Sequence, residues 1–187
     1  MLIVPLSGGP HSGKTTTVEA LKDMYPEAYF VEEAAERLID RELKKHEEDP
    51  DYEPITPDRN YPVFQPLVLE EQLGVEREIP TDANLVFSDR SLIDHIGYCN
   101  LNGLSERVPE IERYSKLAEY AFAFFCEPVG EYKQTRIRRE NPEEAKATHD
   151  AISLAYDLSD VQTVHLPAVS LEKRLDIIAE TLKLHRG

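Results

Sequence analysis

Five short, mostly apolar runs alternate along the chain with longer segments in which apolar residues recur every three or four positions. The runs cover residues 2–6, 28–31, 84–89, 120–126 and 161–166. Apolar runs without alternation are typical of strands buried in a parallel sheet, whereas the spacing of three and four is typical of amphipathic helices. The pattern therefore predicts an α/β fold with a parallel sheet.

The helical spacing places seven helices at residues 16–25, 33–43, 64–79, 92–102, 108–117, 151–160 and 171–182. One segment, residues 46–62, is rich in Asp and Glu and holds four prolines, so we predict that it is irregular. Loops of this length in a compact domain are usually functional or disordered, and we interpret this one as an acceptor-side loop. With 187 residues, the chain is predicted to form a single domain, 1–187.

A glycine-rich segment between the first run and the first helix fits the phosphate-binding pattern G-x-x-x-x-G-K-[S/T]. Its glycines let successive N–H groups point inward, and the next helix directs its positive dipole end to the same place. Lys14 is then expected to reach the β- and γ-phosphates, and the Thr15 hydroxyl to ligate Mg²⁺. Thr16 is predicted to contact the α-phosphate. The predicted ATP-binding residues are Gly8, Gly9, Pro10, His11, Ser12, Gly13, Lys14, Thr15 and Thr16.

The third run ends in Asp89-Arg90-Ser91. An apolar strand that ends in an acid has the form of a Walker B element, so Asp89 is predicted to help hold Mg²⁺, directly or through water. Arg90 offers a planar fork for a phosphate or a developing negative charge, with a surface ion pair as the alternative. Asp94 completes an S-x-x-D capping box with Ser91, which favours a helix cap over a catalytic role.

Glu33 follows the second run, at the sheet edge where ligands of parallel sheets bind. It is either a catalytic base for an acceptor hydroxyl or a favourable charge in the first turn of a helix. Gln65 and Gln72 share one face of the third helix. Paired amides of this kind can bind the edge of a base, but surface glutamines are the commoner case.

A basic cluster follows the fourth run in a chain that has 36 acidic and 21 basic residues. Its members are Lys133, Arg136, Arg138 and Arg139. Arg136 and Arg139 lie one helical turn apart, and we predict that they close over the triphosphate as a lid spanning about residues 131–145. The alternative is a solvated helix start that nearby glutamates neutralise.

Composition limits the partners and the compartment. The net charge of −15 and the pI near 4.8 exclude a duplex nucleic acid, because such a partner requires a basic face. Cys99 and Cys126 stand among apolar residues and are predicted to be reduced core residues. No stretch approaches about 18 consecutive apolar residues, and no leader pattern is present. We therefore expect a cytoplasmic protein without membrane insertion.

Taken together, the glycine loop, Glu33-Ala34-Ala35, Asp89-Arg90-Ser91 and the arginine cluster resemble the P-loop nucleoside and nucleotide kinase superfamily. Within it they are similar to the small AAA-type ATPase family related to the nicotinamide riboside kinase domain. The resemblance covers nearly the whole chain. It implies a three-layer α/β/α sandwich with a five-stranded parallel sheet of order 2-3-1-4-5, ATP and Mg²⁺ at the loop, and an arginine lid. The catalytic residues it implies are Lys14, Glu33, Asp89, Arg90, Arg136 and Arg139.

The acceptor class stays open at this point. Ser91 stands where thymidylate kinases usually carry an aromatic residue, and Ala34 stands where deoxynucleoside kinases usually carry a proline. The first hypothesis is an ATP-dependent phosphotransferase acting on a small-molecule acceptor: a nucleoside, a nucleotide or a related metabolite. A homodimer through the helix around Phe64 is compatible with the superfamily.

Two other hypotheses are a nucleotide-dependent switch with slow hydrolysis and a protein or lipid partner, and plain NTP hydrolysis. The segment from Asp94 to Gly97 matches the D-x-x-G motif of GTPases, but it falls inside a predicted helix. No N/T-K-x-D guanine signature occurs in the sequence. The GTPase form of the switch is therefore disfavoured.

Overall fold

Five parallel strands form one sheet in the computed structural model, which describes residues 1–129 and 141–186. The strands are β1 (Leu2–Ser7), β2 (Tyr29–Val31), β3 (Leu85–Asp89), β4 (Ala123–Cys126) and β5 (Thr163–Leu166). Their order is β2-β3-β1-β4-β5, which confirms the predicted order. Because β3 and β4 lie on either side of β1, the loop after β1 is at the switch point where ligands of open α/β sheets bind.

Seven α-helices connect or follow these strands in the described part of the chain. They are α1 (Lys14–Met24), α2 (Ala34–Glu48), α3 (Tyr61–Arg77), α4 (Leu92–Leu101), α5 (Val108–Leu117), α6 (Pro142–Asp157) and α7 (Leu171–Arg186). The predicted start of the sixth helix at residue 151 is wrong. The helix begins at Pro142, where the Asn141 side chain accepts a hydrogen bond from the Glu144 N–H and completes a capping box.

The two faces of the sheet carry separate cores, because successive side chains along a strand point to opposite faces. Alternate residues of the central strands pack with α1 and α7; this core includes Val4, Phe87, Phe124, Leu21 and Ile178. The other residues of the same strands pack with α3, α4, α5 and α6; this core includes Ile3, Val86, Phe125, Ile96 and Ile152. The result is a three-layer sandwich with the sheet in the middle.

The irregular segment is shorter than predicted. Helix α2 continues to Glu48 and α3 begins at Tyr61, so only residues 49–60 connect them. Pro62 lies in the first turn of α3. A proline is tolerated there because the backbone N–H that it lacks would have no intrahelical partner at this position. The predicted boundaries of 46 and 62 are therefore corrected on both sides.

Glu42 holds the segment 49–60 against α2. Its buried carboxylate accepts hydrogen bonds from the Tyr52 hydroxyl and the Ile55 N–H, and it pairs with Lys45 at 2.6 Å. Burial alone raises the pKa of Glu42, but the hydrogen bonds from Lys45, Tyr52 and Ile55 lower it to about 2. The segment is thus fixed in place without regular secondary structure.

Cys99 and Cys126 are core residues, as the sequence predicts. Both cysteines are buried and form no disulfide, and burial raises the pKa of each thiol to about 11.

Across residues 1–129 and 141–186, none of the helices combines the length and the apolar character that a membrane crossing requires.

Gly97 allows α4 and α6 to approach closely. A Cβ at this position would lie 2.7 Å from Ile152 Cα and 2.9 Å from the Ala151 carbonyl oxygen. We expect Gly97→Ala to force the helices apart and to lower the free energy of unfolding by about 1–3 kcal/mol, measured by urea denaturation. Gly74→Ala in α3 is the matched control, because no atom beyond the neighbouring residues and backbone of its own helix lies within 4 Å of the added Cβ. The control is expected to gain about 0.5–1 kcal/mol, and equal losses in both variants would contradict this account.

Candidate active site

The loop from Gly8 to Gly13 has the backbone that its sequence predicts. Gly8, His11 and Gly13 all have positive φ angles, of 132°, 60° and 74°. A Cβ on Gly8 would lie 2.5 Å from the Cys126 carbonyl oxygen, so this position requires glycine. Positive φ angles turn the backbone of this loop sharply, as in the concave backbone turns that bind anions, and α1 begins directly behind the loop at Lys14. The sequence places His11 in the variable part of the predicted loop, and in the structure its left-handed backbone helps to turn the chain.

Asp89 provides an unsatisfied oxygen beside this loop. It ends β3 next to Leu6 of β1, and its Oδ1 is buried with no hydrogen-bond partner among the described residues. Burial raises the pKa of Asp89, and Lys14 opposes the rise. Asp89 and Thr15 line one cavity of about 230 Å³. A carboxylate oxygen and a hydroxyl are the hard ligands that Mg²⁺ prefers, so this donor set fits the ion.

Arg90 forms a buried ion pair rather than the surface pair that was the alternative. Its Nε donates to Glu33 Oε1 at 2.7 Å, and its Nη1 donates to Asp94 Oδ1 at 3.2 Å and to the Gly8 carbonyl at 3.3 Å. The Arg90 side chain is 11% exposed, and its guanidinium carbon lies 5.4 Å from the centre of the Tyr98 ring. Arg90 thus links the start of α2 to the phosphate loop.

Asp94 is the helix cap that the sequence predicts, and it has further partners. The Ser91 N–H donates to Asp94 Oδ2 at 3.0 Å, which completes the capping box. The Ser7 hydroxyl donates to Oδ1 at 2.6 Å, and the Tyr156 hydroxyl donates to Oδ2 at 2.9 Å. The fully buried carboxylate therefore joins β1, α4 and α6, and it also forms an ion pair with Arg90.

A cavity of about 260 Å³ extends from the phosphate loop to α3 and α4. Glu33 and Arg90 line its middle, and Ala34, Ile39 and Pro57 contribute from α2 and the segment 49–60. Aromatic and polar side chains line its far end: Tyr61, Phe64, Gln65, Gln72, His95 and Tyr98. The structure thus brings Lys14, Glu33 and Arg90 to one cavity.

The interpretation of Gln65 and Gln72 as surface residues is wrong, because they are only 4% and 1% exposed. Gln65 Nε2 lies 2.9 Å from His95 Nδ1, and Gln72 Nε2 donates to Glu76 Oε1 at 2.9 Å. Gln72 Oε1 and His95 Nε2 are buried without hydrogen-bond partners in the part of the chain that the structure describes. Such atoms usually have a partner in the working protein.

Three residues of this cavity were missed from the sequence: Tyr61, His95 and Tyr98. Burial lowers the pKa of His95 to about 4, so its imidazole is neutral near pH 7. Burial raises the pKa of Tyr61 well above its usual range, and its hydroxyl has no hydrogen-bond partner among the described residues. Tyr98 and His95 follow Asp94 on α4, but only the packing of α3 against α4 shows that they face the cavity.

The predicted lid falls mainly on residues that the structure does not describe. Lys133, Arg136, Arg138 and Arg139 lie outside the described residues, and residues 142–145 of the predicted lid form the first turn of α6. His165, at the end of the sheet in β5, lies with its Nδ1 2.9 Å from Glu127 Oε1.

The buried His95 makes stability depend on pH. Its pKa is about 4 in the folded protein and 6.5 when exposed, so the unfolded state binds more protons between these values. Stability is therefore lost as the pH falls from 6.5 towards 4. We expect His95→Gln to remove about 3 kcal/mol of this pH-dependent loss. Urea denaturation at several pH values measures the slope, and an unchanged slope in the variant would contradict the buried neutral state.

Comparisons with known proteins agree with this fold. Thymidylate kinase from Candida albicans has a TM-score of 0.68 and 10% identity, over 99% of this chain and 92% of its own. Deoxyadenosine kinase from M. mycoides, solved with the products dCMP and a flexible dCDP bound, has a TM-score of 0.72 and 10% identity, over 97% and 99%. These likenesses show the fold, and no curated protein matches the sequence. The family model described as AAA domain matches residues 3–174, so the chain belongs to the AAA domain family.

Proposed function

We propose that this protein is an ATP- and Mg²⁺-dependent phosphotransferase acting on a nucleoside, a nucleotide or a related small metabolite. One observation carries the proposal: a single cavity runs from the phosphate loop, past Glu33 and Arg90, to a pocket lined by aromatic rings and amides. Phosphoryl transfer requires this continuity, because the reacting atoms must approach within about 3–3.5 Å. A protein that only hydrolyses ATP needs no organic pocket beyond the phosphates.

The loop side of the cavity fits the polyphosphate of ATP. Lys14 is 5% exposed at the first position of α1, so its charge acts where water screens it little. It would hold the β- and γ-phosphates, and the inward N–H groups of the loop would bind the remaining oxygens. Thr15 and Asp89 would hold Mg²⁺, which when bound neutralises charge on the phosphates.

Glu33 and Arg90 stand where the two halves of the cavity meet. In our proposal, Glu33 orients the acceptor hydroxyl and takes its proton as the phosphoryl group is transferred. Arg90 is held by Glu33, Asp94 and the Gly8 carbonyl, so its positive charge is already in position near the transferring group. Such preorganised charge lowers the barrier because no reorganisation is needed during the reaction.

The far end of the cavity suits a flat heterocycle. Tyr61, Phe64 and Tyr98 provide aromatic surface for stacking. The free oxygen of Gln72 and the Tyr61 hydroxyl, both without partners among the described residues, can bind polar atoms on the ring edge. These features favour a nucleoside-like acceptor over water. They also support kinase chemistry over the switch hypothesis, since the Asp94–Gly97 segment lies inside α4 and Asp94 binds Ser7 and Tyr156.

The first test is ATP consumption with Mg²⁺, measured alone and then with pooled nucleosides, nucleoside monophosphates or nicotinamide riboside. We expect the rate to increase with one pool, and product analysis then identifies the acceptor. Lys14→Ala is expected to lower this rate by at least about 100-fold, because it removes a cation from the transferring phosphates. A low rate that no pool changes would contradict the kinase proposal.

Glu33→Gln tests the acceptor side separately. The amide keeps the size of the side chain but cannot take a proton, so we expect kcat to fall by about 100-fold or more while the KM for ATP changes little. Glu27→Gln, which removes an exposed carboxylate near the opposite end of β2, is the matched control and is expected to keep wild-type kcat. Equal kcat in wild type and Glu33→Gln would show that Glu33 is not the base.

A further inference from the structure

A buried arginine of α7, Arg174, binds the back of the phosphate loop. It is 2% exposed, and its guanidinium donates to four backbone carbonyls. Nη1 donates to the Ser12 carbonyl, and Nε donates to the Pro167 carbonyl at 2.9 Å. Nη2 donates to the carbonyls of Glu127 at 2.6 Å and of Leu166 at 3.4 Å. One side chain thus joins three separate segments of the chain.

These segments meet at the edge of the sheet where the nucleotide is proposed to bind. Ser12 is part of the phosphate loop, Glu127 follows β4, and Leu166 ends β5. In a loop whose N–H groups converge on a phosphate, the carbonyl of Ser12 must point away, and it needs a donor there. Arg174 is that donor, and a Cβ on Gly13 would lie only 3.2 Å from its Nη1.

No carboxylate in the described part of the chain neutralises the guanidinium of Arg174. Its four partners are neutral carbonyls, and within residues 1–129 and 141–186 it forms no ion pair with a carboxylate. Arg90 differs, because Glu33 and Asp94 both pair with it. A positive charge in a poorly solvated interior acts over a longer distance than the same charge in water. Arg174 therefore adds positive potential behind the loop, while Lys14 lies at its front.

We propose that Arg174 is a positioning residue of the phosphate loop, which holds the Ser12 carbonyl away from the ligand and supplies a second buried positive charge for the nucleotide's polyphosphate. The proposal rests on the nucleotide-binding part of the function proposed above, but not on phosphoryl transfer. An arginine that only stabilised the fold would affect the binding of adenosine and of ATP alike. An arginine that positions the loop would affect the binding of ATP and tripolyphosphate but not the binding of adenosine.

Isothermal titration of the whole protein with Mg²⁺-ATP, adenosine and tripolyphosphate tests the proposal. Arg174→Gln is expected to weaken ATP and tripolyphosphate binding by about tenfold or more, since it loses charged hydrogen bonds, and adenosine binding by less than about twofold. Arg174→Lys restores the charge but not the four-way geometry, so its ATP affinity should lie between those of wild type and Arg174→Gln. Lys173→Gln removes an exposed charge from the position of α7 just before Arg174. This variant is expected to bind all three probes as the wild type does.

Urea denaturation of each variant separates folding from binding. If Arg174→Gln does not fold, Arg174→Lys decides the question: a loss of ATP affinity beyond any loss of adenosine affinity supports the proposal. Wild-type ATP affinity in either folded variant would overturn it, as would equal losses for ATP and adenosine. A wild-type protein that binds neither ATP nor tripolyphosphate would overturn both proposals, whereas one that binds ATP but transfers no phosphate would overturn only the kinase.

Discussion

A buried network of charges and hydrogen bonds around Asp94 determines the geometry of this site. Its carboxylate accepts from Ser7 on β1, from the cap of α4 and from Tyr156 on α6, and it also binds Arg90. Breaking such a buried pair leaves an uncompensated charge, which typically costs about 3–5 kcal/mol. Because Arg90 continues the network to Glu33 and the Gly8 carbonyl, the phosphate loop and the start of α2 depend on the same interaction.

The local parts of this arrangement could be predicted from the sequence. The glycine pattern specifies the loop between β1 and α1, and the S-x-x-D motif specifies the cap at Ser91. The wider role of Asp94 could not be predicted, because Ser7 and Tyr156 are 87 and 62 positions away in the chain. No local pattern records which distant hydroxyl groups a buried carboxylate will meet. The sheet order came from the family resemblance and not from the residues alone.

The acceptor side was harder to predict for a physical reason. Gln65, Gln72 and His95 are polar residues on amphipathic helices, and such residues are usually exposed. They are buried because α3 packs against both α2 and α4, a contact that depends on three helices at once. The start of α6 was missed because apolar spacing begins only at residue 151, whereas the helix begins through capping at Asn141. Helix packing therefore determines the burial of the polar residues, and a polar cap determines where α6 begins.

The placement of charge at the sheet edge explains how an acidic protein can bind an anion. The chain carries a net charge of −15, yet salt screens exposed charges beyond about 8 Å at physiological ionic strength. A triphosphate bound at the loop, as we propose, would therefore respond mainly to Lys14, to the N-terminus of α1 and to Arg174 behind the loop. The distant surface carboxylates contribute little. A nucleic acid duplex, by contrast, contacts a broad surface, where the excess of acidic residues repels its phosphates. In the proposed function, local charge at the loop favours a small nucleotide, while the acidic surface disfavours a nucleic acid duplex.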